Sequence, residues 1–418
     1  MYVDCCFKDP KNYSNFTFRL DTDDLKNWPI PKWASGSGPL WTRIENSVLD
    51  QNDNPLYYFD VLCLANTPLA EKGYFMNLYR YEDDGKSISS VIAFSKDGLR
   101  WNVDTKTQWL PYLSDTCNSP LFNPRTGQFM IFCRPEFLDR RIALVTTADM
   151  KTFSPPTTVL QPDVEDPVCR EFYGLNPMFY NGIFVGALEI YDTEPKENVR
   201  VKMQGTNEVQ LAYSYNGQNW YRASRQTFFP RTEPGTAAGG CVYLGMPLLT
   251  RENRIVFCLT PSWGEHGIKT EDIPAGYNRV LTYLYDIRLD GFVYLKTRAR
   301  QGMVQTKAVI SQGGELNINF RTTPTGYIKV AVLDGSLNAD TFGKPLPNYT
   351  LEDATPASGD ELFGKISWQN RNNLDELKDK PIMLQIHVCE GELYSLRFPY
   401  QILIEEKELL ASHSIETS

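Results

Sequence analysis

The chain has 418 residues, more than one ordinary hydrophobic core requires, and its 13% aromatic content with 28 Gly and 27 Pro favours many short strands joined by many turns. A formal charge of -9 leaves no basic stripe to neutralise phosphates, which excludes a nucleic-acid partner and makes a neutral small ligand the easier expectation. No apolar run reaches membrane-spanning length, and the opening Met-Tyr-Val-Asp-Cys-Cys-Phe lacks a basic region followed by an apolar core, so neither a membrane span nor a signal peptide is expected.

In chain order, the first strand-like run, Phe16 to Leu20, leads into the turn Thr22-Asp23-Asp24-Leu25-Lys26-Asn27-Trp28. The same signature follows Val91 to Phe94 as Ser95 to Trp101, follows Ile142 to Thr146 as Thr147 to Phe153, and follows Val209 to Tyr213 as Ser214 to Trp220. A looser copy, Arg288 to Tyr294, follows Val280 to Tyr285. Each copy has an aromatic residue four positions after its Asp or Asn. The carboxylate or amide accepts local backbone hydrogen bonds while the aromatic ring returns to pack. Successive copies are 73, 52, 67 and 74 residues apart, too long for helical solenoids and suited to four-stranded units arranged radially.

These spacings predict an all-β chain in which residues 1–288 form a five-bladed β-propeller. Only 21 residues precede Thr22, so the first blade is short by an inner strand. An abbreviated propeller, completion by other segments, and sequence missing from this chain all fit that shortfall. After Asp290-Gly291 the repeat ends. Short runs at Phe292 to Thr297, Val304 to Ile310, Leu316 to Phe320, Tyr327 to Leu333, Lys365 to Trp368, Ile382 to Val388 and Leu393 to Phe398 predict a C-terminal β-sandwich over 289–404. Residues 405–418 read as a polar tail.

The nine Cys are odd in number and scattered, mostly within apolar runs such as Ile131-Phe132-Cys133. They read as reduced, buried thiols, which points to a cytoplasmic protein. No phosphate loop, paired-Cys zinc pattern or nucleophile elbow is present, so no nucleotide, zinc or other cofactor is expected; clustered carboxylates leave Ca²⁺ open, although no loop has its ligand spacing. The oligomeric state is not encoded in any readable pattern.

Acidic residues recur where the entry to each innermost strand falls after a turn: Glu45, Asp115, Glu165 with Asp166, Glu171, and Glu233. Singly, such residues are turn formers or solvated charges. Converging on one axis, two of them can protonate a leaving group and supply a base or nucleophile, as glycosidic cleavage requires. Asn118, Arg134, Tyr173, Trp263 and His266 are further candidates for a sugar pocket, with Trp41 as another stacking aromatic.

The segment Asp115 to Gly127 resembles a second-blade signature of five-bladed propeller proteins related to glycoside hydrolase families 32 and 43, specifically a bacterial family 32-like group. Glu165-Asp166-Pro167 with Glu171-Phe172-Tyr173-Gly174, Leu211-Ala212-Tyr213-Ser214 with Trp220, Glu233-Pro234-Gly235, His266-Gly267 and Arg288 to Phe292 extend the resemblance over nearly the whole chain. It implies a propeller followed by a sandwich and activity on a small carbohydrate substrate. The chain departs from family 32 in lacking a first-blade Asn-Asp-Pro motif, in offering only Glu165-Asp166-Pro167 for the Arg-Asp-Pro stabiliser, and in having no Glu-Cys acid motif.

The leading expectation is a glycoside hydrolase with Glu171 as general acid and Asp115 as base or nucleophile. Asn118, Arg134, Asp166, Tyr173, Glu233, Trp263 and His266 would bind substrate. The alternative is a non-catalytic propeller that binds carbohydrate or protein, for which the missing first-blade motif and short N-terminus speak.

Overall fold

The computed structural model describes residues 2–402 except 10–11, 25–26, 30, 36–38, 58, 82–87, 113, 115–116, 136–138, 197–198, 246–247, 250–252, 269–271, 275–281 and 299. Among the described residues there is no α-helix; β-strands and three short 3-10 turns make up the regular structure. No helix there is long and apolar enough to cross a membrane. The chain divides into two compact units, Met1–Pro247 with Phe257–Tyr285, and Leu248–Val256 with Asp286–Ser418.

The first unit opens with an antiparallel hairpin, β1 (Tyr2–Asp9) and β2 (Asn12–Arg19). Isolated bridges Phe18↔Ser47 and Trp33↔Ile44 follow. β3 (Leu49–Asp50) runs parallel to β7 (Arg100–Leu110) at the edge of a meander formed with β4 (Phe59–Cys63), β5 (Tyr74–Tyr81) and β6 (Ile88–Ser95). A second meander comprises β8 (Ser119–Asn123), β9 (Gln128–Cys133), β10 (Ile142–Thr147) and β11 (Thr157–Leu160). A third comprises β12 (Arg170–Tyr180), β13 (Ile183–Lys196), β14 (Val199–Ser214) and β15 (Tyr221–Arg222). β16 (Cys241–Leu244) meets β14 in parallel at Asn207↔Cys241 and pairs with the far end of β18 (Arg254–Ser262); the near end of β18 pairs with β17 (Leu248–Leu249), and both of these belong to the second unit. β19 (Tyr283–Arg288) ends the run.

The recurring turn is one hydrogen-bonded device. Ser95 Oγ accepts the Gly98 N–H at 2.8 Å, while Asp97 Oδ1 accepts those of Leu99 and Arg100 at 2.8 and 2.9 Å. Thr147 and Asp149 do the same for Met150, Lys151 and Thr152, and Ser214 and Asn216 for Gly217, Gln218 and Asn219. The residue after the acceptor takes a positive φ, +75° at Gly98 and +80° at Gly217, a conformation glycine adopts without strain. Trp101 and Trp220 then bury almost completely. Asp24 keeps part of the pattern by accepting the Asn27 N–H at 2.8 Å. Asp290 uses its carboxylate differently, accepting from Arg397 at 2.6 Å and from Ser395.

The first strands of successive meanders are stitched together by buried polar side chains. Asn118 N–H donates to Asp60 on β4 at 2.8 Å, and Ser119 on β8 donates to Asn176 on β12 at 2.8 Å. Asn176 in turn donates to the Leu244 carbonyl on β16 at 2.6 Å. Apolar clusters fill the space between sheets, one centred on Phe132, Phe172, Phe184 and Trp220 and another on Phe75, Ile92, Phe129 and Met150.

The second unit carries β20 (Leu295–Lys296), β21 (Gln301–Gln305), β22 (Val309–Ser311), β23 (Asn317–Asp334), β24 (Asp360–Lys365), β25 (Pro381–Arg397) and β26 (Tyr400–Ile402) in one sheet. The sequence predicts four short strands where the structure has two long ones. β23 and β25 pair along nearly their full lengths, with register shifts at Asn319/Phe320 and Thr322/Tyr327. Thr323-Pro324-Thr325-Gly326 is therefore a bulge rather than a strand end; Thr323 and Thr325 hydroxyls donate to the Glu390 carboxylate of β25 at 2.9 and 2.7 Å. One face of the sheet packs Ile328, Val330, Val332, Leu384 and Ile386 against Tyr349, Trp368 and Leu374. The expected tail, 405–418, lies outside the described residues.

Candidate functional site

Glu171 stands near the start of β12 with no solvent exposure, and its Oε2 is 2.7 Å from Nη1 of Arg140, itself 12% exposed. Arg140 also lies over the rings of Tyr173 and Tyr191, at 5.4 and 4.8 Å. Arg134 lies 4.5 Å over the Tyr173 ring, and its Nε donates to the Tyr173 carbonyl at 3.3 Å. Guanidinium faces suit such stacking because the ring quadrupole attracts the cation.

Tyr173 and His266 meet although 93 residues separate them. The Tyr173 hydroxyl is 3.1 Å from His266 Nε2, and the Tyr191 hydroxyl is 3.5 Å from Nδ1. Each imidazole nitrogen thus faces a phenol. Burial pushes the Tyr191 hydroxyl up to about 12, so it stays a neutral donor at physiological pH. Tyr243 completes this aromatic wall, its ring centroid 5.6 Å from that of Tyr173, and burial raises its hydroxyl strongly as well.

Main chain seats the His266 loop. His266 N–H donates to Gly205 O at 2.8 Å, and Gly240 packs on Gly264 so closely that a Cβ at Gly240 would overlap the Gly264 carbonyl. Glycine is required at position 240 for this approach.

Two acids that the sequence reading did not select complete the constellation. Glu189, on β13, is 1% exposed; Oε1 accepts the Leu244 N–H at 2.9 Å and Oε2 lies 3.7 Å from Cys117 Sγ. Burial pushes its carboxyl up to about 7, against the opposing pull of the Leu244 N–H and the Arg134 charge. Asp60, on β4, accepts the Asn118 N–H and contributes to the negative field at Glu189. Both acids are single charges inside apolar strand runs, Phe59-Asp60-Val61 and Leu188-Glu189-Ile190, and that interruption is the signal that can find them.

The structure therefore brings Glu171, Tyr173, Arg134 and His266 together, and links Asn118 to Asp60. Asn118 is also held by Ser114, whose carbonyl accepts its side-chain amide at 2.8 Å. Asp166 sits elsewhere, in an ionic cluster with Arg170, Arg222 and Arg225 at 3.4, 2.7 and 3.1 Å. Burial alone would raise its carboxyl; the Arg222 hydrogen bonds, the Asp163 N–H and the Arg222 charge together outweigh that and hold it below the usual range. Glu233 is exposed, its carbonyl capping a local turn to Thr236, and Trp263 is half-buried after β18. Trp41 packs on the Phe16, Phe18 and Ile44 cluster. Asp115 lies outside the described residues. Among the described residues, no group of three or more His, Cys, Asp or Glu has a metal-holding arrangement, and the seven cysteines with described side chains are free thiols.

Neither a family model nor a curated protein matches the chain. Solved structures with some likeness include an N-acetylgalactosamine deacetylase from F. plautii in complex with blood group B trisaccharide, 11% identical, TM-score 0.40, covering 66% of this chain and 80% of that one. A variant fructofuranosidase from Schwanniomyces occidentalis complexed with fructosylnystose is 11% identical with TM-score 0.38, covering 91% and 88%. A β-1,2-mannobiose phosphorylase from Listeria innocua in complex with β-1,2-mannobiose is 16% identical with TM-score 0.33, covering 50% and 53%. At these identities and TM-scores, none of the three fixes the fold or activity of this chain.

Proposed function

We propose that the chain is a glycoside hydrolase acting on a small oligosaccharide or glycoside at the axis of a five-bladed propeller followed by a β-sandwich. The observation that carries the reading is Glu189, a buried carboxyl held near 7, where it is substantially protonated at neutral pH and able to donate to a departing glycosidic oxygen. Asp60 is the opposing carboxylate in this reading, with Asp115 as the alternative. Glu171, paired with Arg140, holds the Tyr173, Tyr191 and His266 wall against which a sugar ring stacks. The general-acid role thus moves from Glu171, expected from the sequence, to Glu189.

The test is hydrolysis of chromogenic furanosides, pyranosides and short oligosaccharides by the intact protein and its Glu189→Gln, Asp60→Asn and Glu171→Gln variants. Loss of turnover in the first two with unchanged folding is expected, together with activity that declines as pH rises past about 7 as the acid loses its proton. Full turnover in Glu189→Gln sinks the assignment. The close shielding of Glu189 favours one rival, a non-catalytic carbohydrate-binding propeller, which predicts sugar-induced thermal stabilisation without product.

A further inference from the structure

A cavity of about 450 Å³ lies between the β4–β7 and β8–β11 meanders, and none of the candidate-site residues lines it. Three departures from the regularity of the first unit meet on it. β7 bulges: Ile92 pairs with Asp104 but Val91 with Gln108, so Thr105, Lys106 and Thr107 loop out of the ladder. The turn at Asp149 departs from its copies in placing Met150, not glycine, at φ +56°, a strained conformation for a side chain of that size. The next residue is Lys151, where the corresponding positions hold Leu99 and Gln218. Lys72, at the end of a 3-10 turn, is held 4.5 Å over the Phe94 ring.

All three lysines line the cavity with Met150, Ile92 and Phe94. Its two acids are engaged by their own turns: Asp104 accepts the N–H groups of Lys106 and Thr107, and Asp149 those of Lys151 and Thr152. Lys106 and Lys151 act on Asp104 and Asp149 through space, helping to hold those carboxyls low, without closing an ion pair among the described residues. Three lysines against two aspartates leave a local charge of +1 on a chain of net charge -9. Backbone irregularities that present cations over an apolar floor are built at a cost in strain, and a ligand that is both anionic and partly apolar accounts for them.

We propose that this cavity binds a small phosphate monoester, the lysines of the bulge, the 3-10 turn and the strained turn holding the phosphate while Phe94 meets its organic body. This inference is independent of the glycosidase reading. Calorimetric titration of the full chain with phenyl phosphate, and separately with inorganic phosphate, tests it. Saturable one-to-one binding of phenyl phosphate is expected, about tenfold tighter than inorganic phosphate and weakening steeply with salt. A Lys72→Gln, Lys106→Gln, Lys151→Gln triple variant, shown to be folded by an unshifted melting temperature, should lose this binding. No saturable binding at millimolar concentration overturns the proposal. Equal binding by the folded triple variant does so as well, since the phosphate would then lie elsewhere.

Discussion

Sixteen of the eighteen buried polar or charged side chains among the described residues belong to the first unit, whereas the second unit contributes Ser311 and Asn319. The second unit hides an apolar cluster behind two long strands, and its charges pair at or near the surface, as Lys296 does with Glu392 and Lys365 with Glu315. The first unit threads carboxylates, amides and hydroxyls through the strands on which it is built. Buried polar groups are costly unless fully hydrogen-bonded, and their concentration in one unit separates a region ordered by polar contacts from a region ordered by apolar packing.

The strongest test of that division is Phe320→Ala in the second unit. Removing this buried ring should cost about 4 kcal/mol, equally at pH 5 and pH 8, and leave ligand binding by the first unit intact. A pH-dependent loss, measured by urea unfolding at both pH values, would break the contrast.

Next comes Glu189. Its carboxyl is raised from 4.5 to about 7 in the folded chain, so the native state holds the proton more tightly than the unfolded state. The stability this group contributes is complete below pH 4.5 and is lost as pH rises through 7, on the order of 3 kcal/mol in all. Glu189→Gln should flatten that slope. Urea midpoints at pH 5 and pH 8 that differ as much in the variant as in the parent would remove Glu189 from the account.

Glu171→Gln should cost about 2 kcal/mol, the worth of a hydrogen bond to a charged group, because Arg140 loses this ion pair while remaining mostly buried. A Glu171→Gln, Arg140→Met double variant should recover part of the loss, and a double-mutant cycle showing no coupling would make the pair incidental. The smallest effect expected is Asn216→Ala, about 1 kcal/mol, from the two turn N–H groups left to water. It sharpens the comparison by showing whether one copy of the turn is locally replaceable.

Three of the five turns were legible in advance because their chemistry is local: a Ser or Thr, an Asp or Asn, and an aromatic ring at fixed offsets determine their own hydrogen bonds, whereas Asp24 keeps only part of the pattern and Asp290 turns to Arg397 and Ser395 instead. The strands leading into them followed from the same reading. The length of β23 and β25 was not legible, since Thr323-Pro324-Thr325-Gly326 has the composition of a turn and becomes a bulge only through the Glu390 carboxylate on the partner strand. Of the candidate site, Glu171 and Tyr173 were named from the sequence near a strand entry, Arg134 at a strand end and His266 in a Gly-flanked loop. Their pairings were not, because the Glu171 to Arg140 contact spans 31 residues and depends on where two sheets lie. Asp60 and Glu189 escaped a search directed at loops, although each breaks an apolar run in a way that burial makes expensive.

The approach of Gly240 to Gly264 has a consequence for how this site can change. A loop seated by side chains drifts whenever a neighbour is substituted, but a loop seated peptide against peptide is indifferent to most of its own sequence. Glu265 can therefore vary, recutting what the loop offers to a ligand, while Gly264 and the positive-φ Gly267 on either side of it stay glycine and the main chain that carries His266 stays in register with Gly205. Positions without side chains thereby fix where the loop runs and leave Glu265 to set what it shows.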